Sequence, residues 1–134
     1  MTIGEAVDAI VVALEPLAAE IDGLQVNGYF NPQASPPCLD VYPDTPFQEG
    51  SGYGVGSKKI RWIVRARVSN ADPRAASDTL YRMLDANDAA SVEAALANVD
   101  VWVPDDGSVD GLVTFSDDNQ GDMIGARWRV AMFQ

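Results

Sequence analysis

The chain has no histidine and only one cysteine among its 134 residues. Histidine is the commonest general base and a frequent metal ligand, so its absence removes the side chain most often used for both roles. The single cysteine, Cys38, cannot form an internal disulfide, and without histidine it cannot act in a Cys–His pair. Because no other spacing of residues singles out a catalytic group, we expect a protein that is not an enzyme and uses no cofactor.

Basic residues are also scarce, and they are concentrated. The formal net charge is −11, and seven of the nine Lys and Arg residues lie in the segments 58–67 and 127–129. Phosphate binding needs dense Lys and Arg, so the chain as a whole is expected to repel DNA. The N-terminal apolar stretch lacks a basic flank and is interrupted by Glu5, Asp8 and Glu15, which predicts neither a secretion signal nor a membrane span.

The remaining composition predicts one globular domain over residues 1–134. Apolar residues make up 47% of the chain, which is enough for a single core. Thr2 and Glu5 form a capping-box pattern that starts a helix, and Pro16 is expected to split that helix. Further helices are predicted at 72–85 and 91–97, strands at 24–30, 38–42, 58–69, 101–103, 112–115 and 122–133, and a flexible loop at 43–57. This order predicts an α+β fold, a single twisted, mostly antiparallel β-sheet with helices packed on one face.

The two basic segments alternate with period two, as β-strands do. In the strand at 58–69 the apolar residues face one way and the arginines the other, and the last strand repeats this pattern. Arginine mixed with apolar and aromatic residues is typical of protein interfaces. The alternative is a solvated strand face whose salt bridges contribute little. The residues predicted to form an interface are Arg61, Ile63, Arg65, Arg67, Arg127, Arg129 and Phe133.

An acidic segment at 105–110 has the spacing of a calcium-binding loop. Its possible oxygen ligands are Asp106, Ser108, Asp110 and Asp117, with Gly111 at the turn position of an EF-hand loop. The flanking residues read as strands rather than helices, and aspartate at the last position is short for bidentate binding. A solvated acidic loop is therefore the preferred interpretation, and a calcium-stabilised binding module using the Asp106–Asp117 loop stays an alternative.

Several short sequence segments occur together with this order of helices and strands. They are the segment 17–26, the Pro36–Pro37 entry to a strand, the basic strand 58–68, the Asp72–Pro73 helix start, and the segment 91–96. In combination they resemble the tail terminator proteins of long, non-contractile-tailed bacteriophages. The resemblance covers nearly the whole chain.

This resemblance implies a small α/β subunit that forms a hexameric ring at the head-proximal end of the tail tube. Such a ring is assembled in the host cytoplasm, stops tube polymerisation and provides the surface for head attachment. The implied partners are copies of the chain, the tail tube protein and the head-neck connector protein. DNA is expected to pass through the lumen without specific binding, and Asp105, Asp106, Asp110, Asp117 or Asp118 would line that lumen or meet a neighbouring subunit. The residues also leave open a different head-tail neck or connector protein and an acidic DNA mimic.

Overall fold

The structure is a computed structural model that describes residues 2–29, 31, 36–50, 58–97, 103–117 and 121–133. Within these ranges it describes the backbone alone at residues 46, 49, 50, 58, 103–117, 121, 122 and 133. All helices and strands named below lie in the described part of the chain.

Helices and strands follow each other in the order predicted from the sequence, except that the two short strands predicted before the last strand are a single strand in the structure. Three helices are labelled α1 to α3 and five strands β1 to β5, with a 3-10 helix after α1. Their bounds are α1 Ile3–Leu14, the 3-10 helix Glu15–Ala19, β1 Gln25–Asn27, β2 Cys38–Gly50, β3 Lys58–Ser69, α2 Pro73–Leu84, α3 Val92–Leu96, β4 Val103–Asp117 and β5 Gly121–Phe133.

The helix ends are set by the side chains that the sequence places there. The Thr2 hydroxyl accepts a hydrogen bond from the Glu5 backbone N–H at 3.1 Å, and the Glu5 carboxylate accepts one from the Thr2 N–H at 3.4 Å. This reciprocal pair confirms the capping box. The 3-10 helix begins at Glu15, next to the proline predicted to split the helix. The backbone then reverses at Gly23, whose φ of 77° is favourable only for glycine.

The five strands form one mixed sheet in the order β1-β2-β3-β5-β4. β1 pairs with β2 in parallel, whereas the other three pairings are antiparallel. β3 and β5 are the central long strands and remain in register from Lys59–Phe133 to Ser69–Met123. The mostly antiparallel α+β sheet predicted from the sequence is therefore confirmed.

The core lies between the sheet and the helices, on one side of the sheet. Alternate residues of β3 and β5, including Trp62, Val64 and Trp128, pack with the buried sides of α1 (Ile10 and Leu14), α2 and α3. The opposite set of residues on β3 and β5 points to the other side of the sheet. The predicted placement of helices on one face thus agrees with the structure. Among the described residues no helix combines the length and apolar character that crossing a membrane requires.

β2 is longer than the sequence predicts. Residues 43–50, expected to belong to a flexible loop, continue the strand, with an irregularity in its pairing between Pro43 and Gln48. Phe47 gives the physical reason, because its ring packs edge-to-face on Trp62 at 5.0 Å between centroids. The proline is tolerated because β1 covers β2 only from Cys38 to Asp40, which leaves the outer edge open beyond that point. The rest of the predicted loop, 51–57, lies outside the described residues.

β4 also differs from the sequence prediction. The pattern of residues 105–110 predicts a loop between two short strands, but β4 runs through this acidic segment from Val103 to Asp117. Pairing with β5 is irregular between Pro104 and Val109. A second irregularity in the pairing lies between Asp110 and Val113. The glycines and aspartates that signal a loop therefore mark irregular pairing within a strand. Asp117 pairs with Gly121, as a hairpin requires, whereas Asp118 lies outside the described residues.

A candidate interaction face on the sheet

The side of the sheet away from the helices carries the arginines. We call it the arginine face and define it by Arg61, Arg65 and Arg67 of β3 and Arg127 and Arg129 of β5. The β3–β5 register brings these two sets together: Arg65 is directly opposite Arg127, and Ile63 is opposite Arg129. The structure therefore unites the two basic segments, which are 60 residues apart in the chain, on one surface.

Acidic residues on the flanking strands lie level with the central arginines. Asp40 of β2 is the register partner of Arg65, and Asp110 of β4 is the register partner of Arg127. Two arginines directly opposite each other destabilise a sheet, and the buried carboxylate of Asp40 in the same row brings a negative charge close to them. The pattern within β3 and β5 could not reveal this arrangement, because strand order is a property of the fold.

Arg67 does not belong to an accessible surface. Its side chain is 3% exposed and donates a hydrogen bond from Nη2 to Asp40 Oδ2 at 2.6 Å, while Asp40 is fully buried. The same Nη2 donates to the carbonyl oxygen of Asn31 at 2.6 Å, and Asn27 Nδ2 donates to Asp40 Oδ1 at 3.0 Å. The interface prediction is therefore wrong for Arg67, which stabilises the β1–β2–β3 edge of the sheet.

Sequence reasoning missed Asp40, although a signal was present. An aspartate in the run from Cys38 to Tyr42 interrupts otherwise apolar and aromatic residues of a strand. A charge at such a position is expected to have a buried partner, since an unpaired buried charge is costly. The sequence could not identify that partner, because Asp40 and Arg67 are 27 residues apart.

Ile63 is also less accessible than predicted. It is only 8% exposed, although it lies on the side of the sheet away from the helices. Its neighbours along β3 are Arg61 and Arg65, and its register partners are Tyr42 and Arg129. The Nε atoms of Arg61, Arg65 and Arg129 are buried, so these side chains lie against the sheet and cover apolar surface rather than extending fully into water. Ile63 is thus a buried apolar residue between the arginines and is not an exposed contact residue.

Four arginines remain at the surface of this face. Arg61, Arg65, Arg127 and Arg129 are all partly exposed. Arg61, Arg65 and Arg127 also have interactions within the chain. The backbone of Phe133 pairs with Lys59 at the end of the same face, and its side chain lies outside the described part. The accessible part of the predicted interface therefore consists of these four arginines.

Cys38 lies beside the buried ion pair and is itself fully buried. Burial raises the pKa of its thiol to about 11, an effect that Arg67 partly opposes and Asp40 reinforces. The thiol is therefore neutral at physiological pH, and only the thiolate is a strong nucleophile or metal ligand. Its environment is that of a structural residue.

The strand backbone of β4 contradicts the calcium-site alternative. Asp110 pairs with Arg127 and Asp117 with Gly121, so these aspartates are separated by the length of β5 between residues 127 and 121. At the rise of a β-strand this corresponds to about 20 Å, whereas calcium ligands lie within about 2.6 Å of the ion. Asp106, Ser108, Asp110 and Asp117 therefore cannot surround one calcium ion as an EF-hand loop does.

An open cleft of about 390 Å³ lies at the other side of the molecule, between α2, residues 20–22 and Pro36–Pro37. The ionisable side chains of its lining are Glu20, Asp22, Asp72 and Arg82. Arg82 is already paired with Glu20 and Asp88, at 3.4 and 3.2 Å. Among the described residues no group of three or more Cys, Asp or Glu side chains could hold a metal ion. The arginine face is therefore the stronger candidate site, because the one basic side chain of the cleft is already paired.

Comparisons with known proteins give no family for this chain. Its sequence matches no family model, and no curated protein matches it.

Proposed function

We propose that this chain is a structural virion protein, a tail terminator of a long-tailed bacteriophage. In this role it forms a ring, which the resemblance implies to be hexameric, on the head-proximal end of the tail tube. The ring stops tube polymerisation and offers a surface to which the head attaches. The protein performs no catalysis and needs no cofactor, in keeping with the absence of histidine.

The arginine face is the observation that carries the proposal. It gathers four partly exposed arginines, of the nine basic residues in the chain, on the side of the sheet away from the helices. The helix layer on the other side exposes acidic residues such as Asp8, Glu15 and Asp78. A subunit with opposite charge on two different surfaces favours heterologous contacts, in which one surface of a copy meets a different surface of the next.

Two further features agree with this proposal. The resemblance implies a small subunit that contains both helices and strands, and this chain combines three helices with a five-stranded sheet in its described part. The net charge of −11 disfavours DNA binding, so DNA would pass through a ring of such subunits without being held.

The proposal is tested by adding the purified protein to tail-tube subunits of a phage that encodes it. Electron microscopy would measure tube length and the structure of each tube end. We expect tubes that stop growing and carry a ring at one end. A heat-denatured sample of the same protein serves as control and should leave tube growth unchanged.

Uncapped tubes of uncontrolled length in the presence of the folded protein would overturn the proposal. Tubes that are capped, but whose ends do not join heads in a complementation mixture, would place the protein elsewhere in the neck and would overturn the head-joining part of the proposal.

A further inference from the structure

The outer side of α1 has a charge pattern opposite to that of the arginine face. Buried Ala6, Ile10 and Leu14 define the inner side of this helix. The residues on its outer side are exposed: Glu5, Asp8, Val12 and, immediately after the helix, Glu15. We call these four residues the α1 acidic face.

No basic residue lies near the α1 acidic face in the sequence, because the first Lys or Arg of the chain is Lys58. Val12 lies at the middle of this face and is 63% exposed, the largest exposed fraction among the large apolar residues that the structure describes. The face thus offers an apolar centre with carboxylates on both sides. Burying such a centre against a partner removes apolar surface from water and adds to the electrostatic attraction.

α2 does not offer an equivalent surface. It also exposes an aromatic residue, Tyr81, but it carries two arginines, Arg74 and Arg82, beside a single acidic residue, Asp78. Arg82 is paired with Glu20 and Asp88, so part of the negative charge of that region already has a basic partner within the chain. A basic partner is therefore attracted more strongly to α1 than to α2.

The dimensions of the two faces match. The accessible part of the arginine face extends about 13 Å along β3, from Arg61 to Arg65. From Glu5 to Glu15 the α1 acidic face extends about 15 Å along the helix. Because α1 packs on the opposite side of the sheet from the arginines, one copy cannot bring its own two faces together.

We propose that the occupant of the arginine face is the α1 acidic face of a second copy of this chain. The contact is heterologous, so it repeats from copy to copy and builds a ring or a filament. This inference rests on the proposed function, because that function requires a ring. It adds which two surfaces join neighbouring subunits.

Two charge-reversed variants test this contact. The first, Arg61→Glu with Arg129→Glu, makes the arginine face acidic and leaves α1 unchanged. The second, Asp8→Arg with Glu15→Arg, makes the α1 face basic and leaves the sheet unchanged; it preserves Glu5, which caps the helix. Asp78→Arg with Glu93→Arg changes the net charge by the same amount as the second variant at positions outside α1, and is the matched control.

Sedimentation velocity would measure the association of each variant alone and of the two mixed in equal amounts. Each variant alone should associate more than about tenfold more weakly than the wild type, because like charges meet at every contact. The mixture should assemble again, since each reversed face finds a complementary face on the other variant. The control variant should associate as the wild type does.

Circular dichroism checks that each variant folds. If the first variant does not fold, Arg129→Glu alone replaces it.

Failure of the mixture to assemble would overturn the contact, as would assembly of either reversed variant at wild-type strength. If variants with either face reversed still form rings, this contact is overturned, whereas the tail-terminator proposal is unaffected. Restored assembly in the mixture, combined with tubes that remain uncapped, would support the contact and overturn the tail-terminator function.

Discussion

Two arginines two positions apart on the same strand have different roles. Arg67 is buried against Asp40, whereas Arg65 is partly exposed and lies opposite Asp40 in the register. The difference comes from the neighbours: Arg67 lies next to the end of β2 that β1 covers, where Asn27 and Asn31 supply further polar groups. A buried pair is costly to desolvate, and hydrogen bonds to both ions offset part of that cost.

We therefore expect Arg67→Met to lower the free energy of unfolding by about 3–5 kcal/mol, because Asp40 would be left as an uncompensated buried charge. Urea denaturation monitored by circular dichroism measures this change. The double variant Asp40→Leu with Arg67→Met should recover part of the loss, since neither charge is then buried alone. Arg61→Met, at a partly exposed position, is the control and should cost about 1 kcal/mol or less. Equal losses for Arg67→Met and Arg61→Met would contradict the buried role of Arg67.

Cys38 predicts a pH dependence of stability. Its pKa is raised from 9.0 to about 11 in the folded protein, mainly by burial. In the unfolded chain the thiol ionises from about pH 9 upward, while the folded chain keeps it protonated. The contribution of this thiol to stability is therefore complete below pH 9 and is lost as the pH rises towards 11.

The test compares wild type with Cys38→Ala in urea denaturation series at about pH 7, 9 and 10.5, which span the ionisation of the unfolded thiol. The wild type should lose more stability across this range than the variant, whatever their difference at neutral pH. The native thiol should also resist alkylation by iodoacetamide at about pH 8 and react once the protein is unfolded. Rapid alkylation of the folded protein would show that Cys38 is accessible.

At the scale of elements, the helix starts follow local chemistry, whereas strand lengths follow packing. Asp72 accepts a hydrogen bond from the Ala75 N–H at 3.3 Å, and Pro73 occupies the first turn of α2, as the sequence predicts. The extension of β2 past Pro43 depends instead on the contact of Phe47 with Trp62, which comes from another strand. Local patterns therefore predicted the helices well and the outer strands poorly.

Asp72→Ala should lower the free energy of unfolding by about 1 kcal/mol, because the Ala75 N–H loses its acceptor at the first turn of α2. Thermal denaturation would show this as a decrease of several degrees in Tm. Asp78→Ala, in the middle of the same helix, should change stability by about 0.5 kcal/mol or less. Comparable effects at Asp72 and Asp78 would rule out a specific capping role.

At the scale of the whole molecule, charge is distributed unevenly between the two sides of the sheet. The partly exposed arginines lie on one side, and α1, with carboxylates and no basic residues, lies on the other. A net charge of −11 makes the copies repel one another at long range. Association of such a protein therefore depends on short-range complementarity between particular surfaces. Salt acts both on the long-range repulsion and on this short-range attraction.

We expect added salt to strengthen association at first, by screening the repulsion between copies, and to weaken it at higher concentration, by screening the charged contact. From about 0.02 to 0.15 M NaCl, screening of the long-range repulsion should favour association, because the Debye length falls to about 8 Å. Near 1 M, where it is about 3 Å, the contact between arginines and carboxylates should weaken as well. Sedimentation velocity across this range should show a maximum of association at intermediate salt. Association that rises steadily up to the highest salt would indicate an apolar contact rather than a charged one.

The sequence by itself determined the order of the elements, the start of each helix and the two faces of β3 and β5. These depend on local periodicity and on side chains that bond to nearby backbone groups, so neighbouring residues are sufficient to predict them. Only the tertiary structure decided which arginines are accessible. Strand order places Asp40 and β1 beside Arg67, and it places Arg129 of β5 beside Ile63 of β3. Each of these contacts joins residues that are distant in the chain. The acidic segment that the sequence predicted as a loop is part of β4, an edge strand that pairs irregularly with β5.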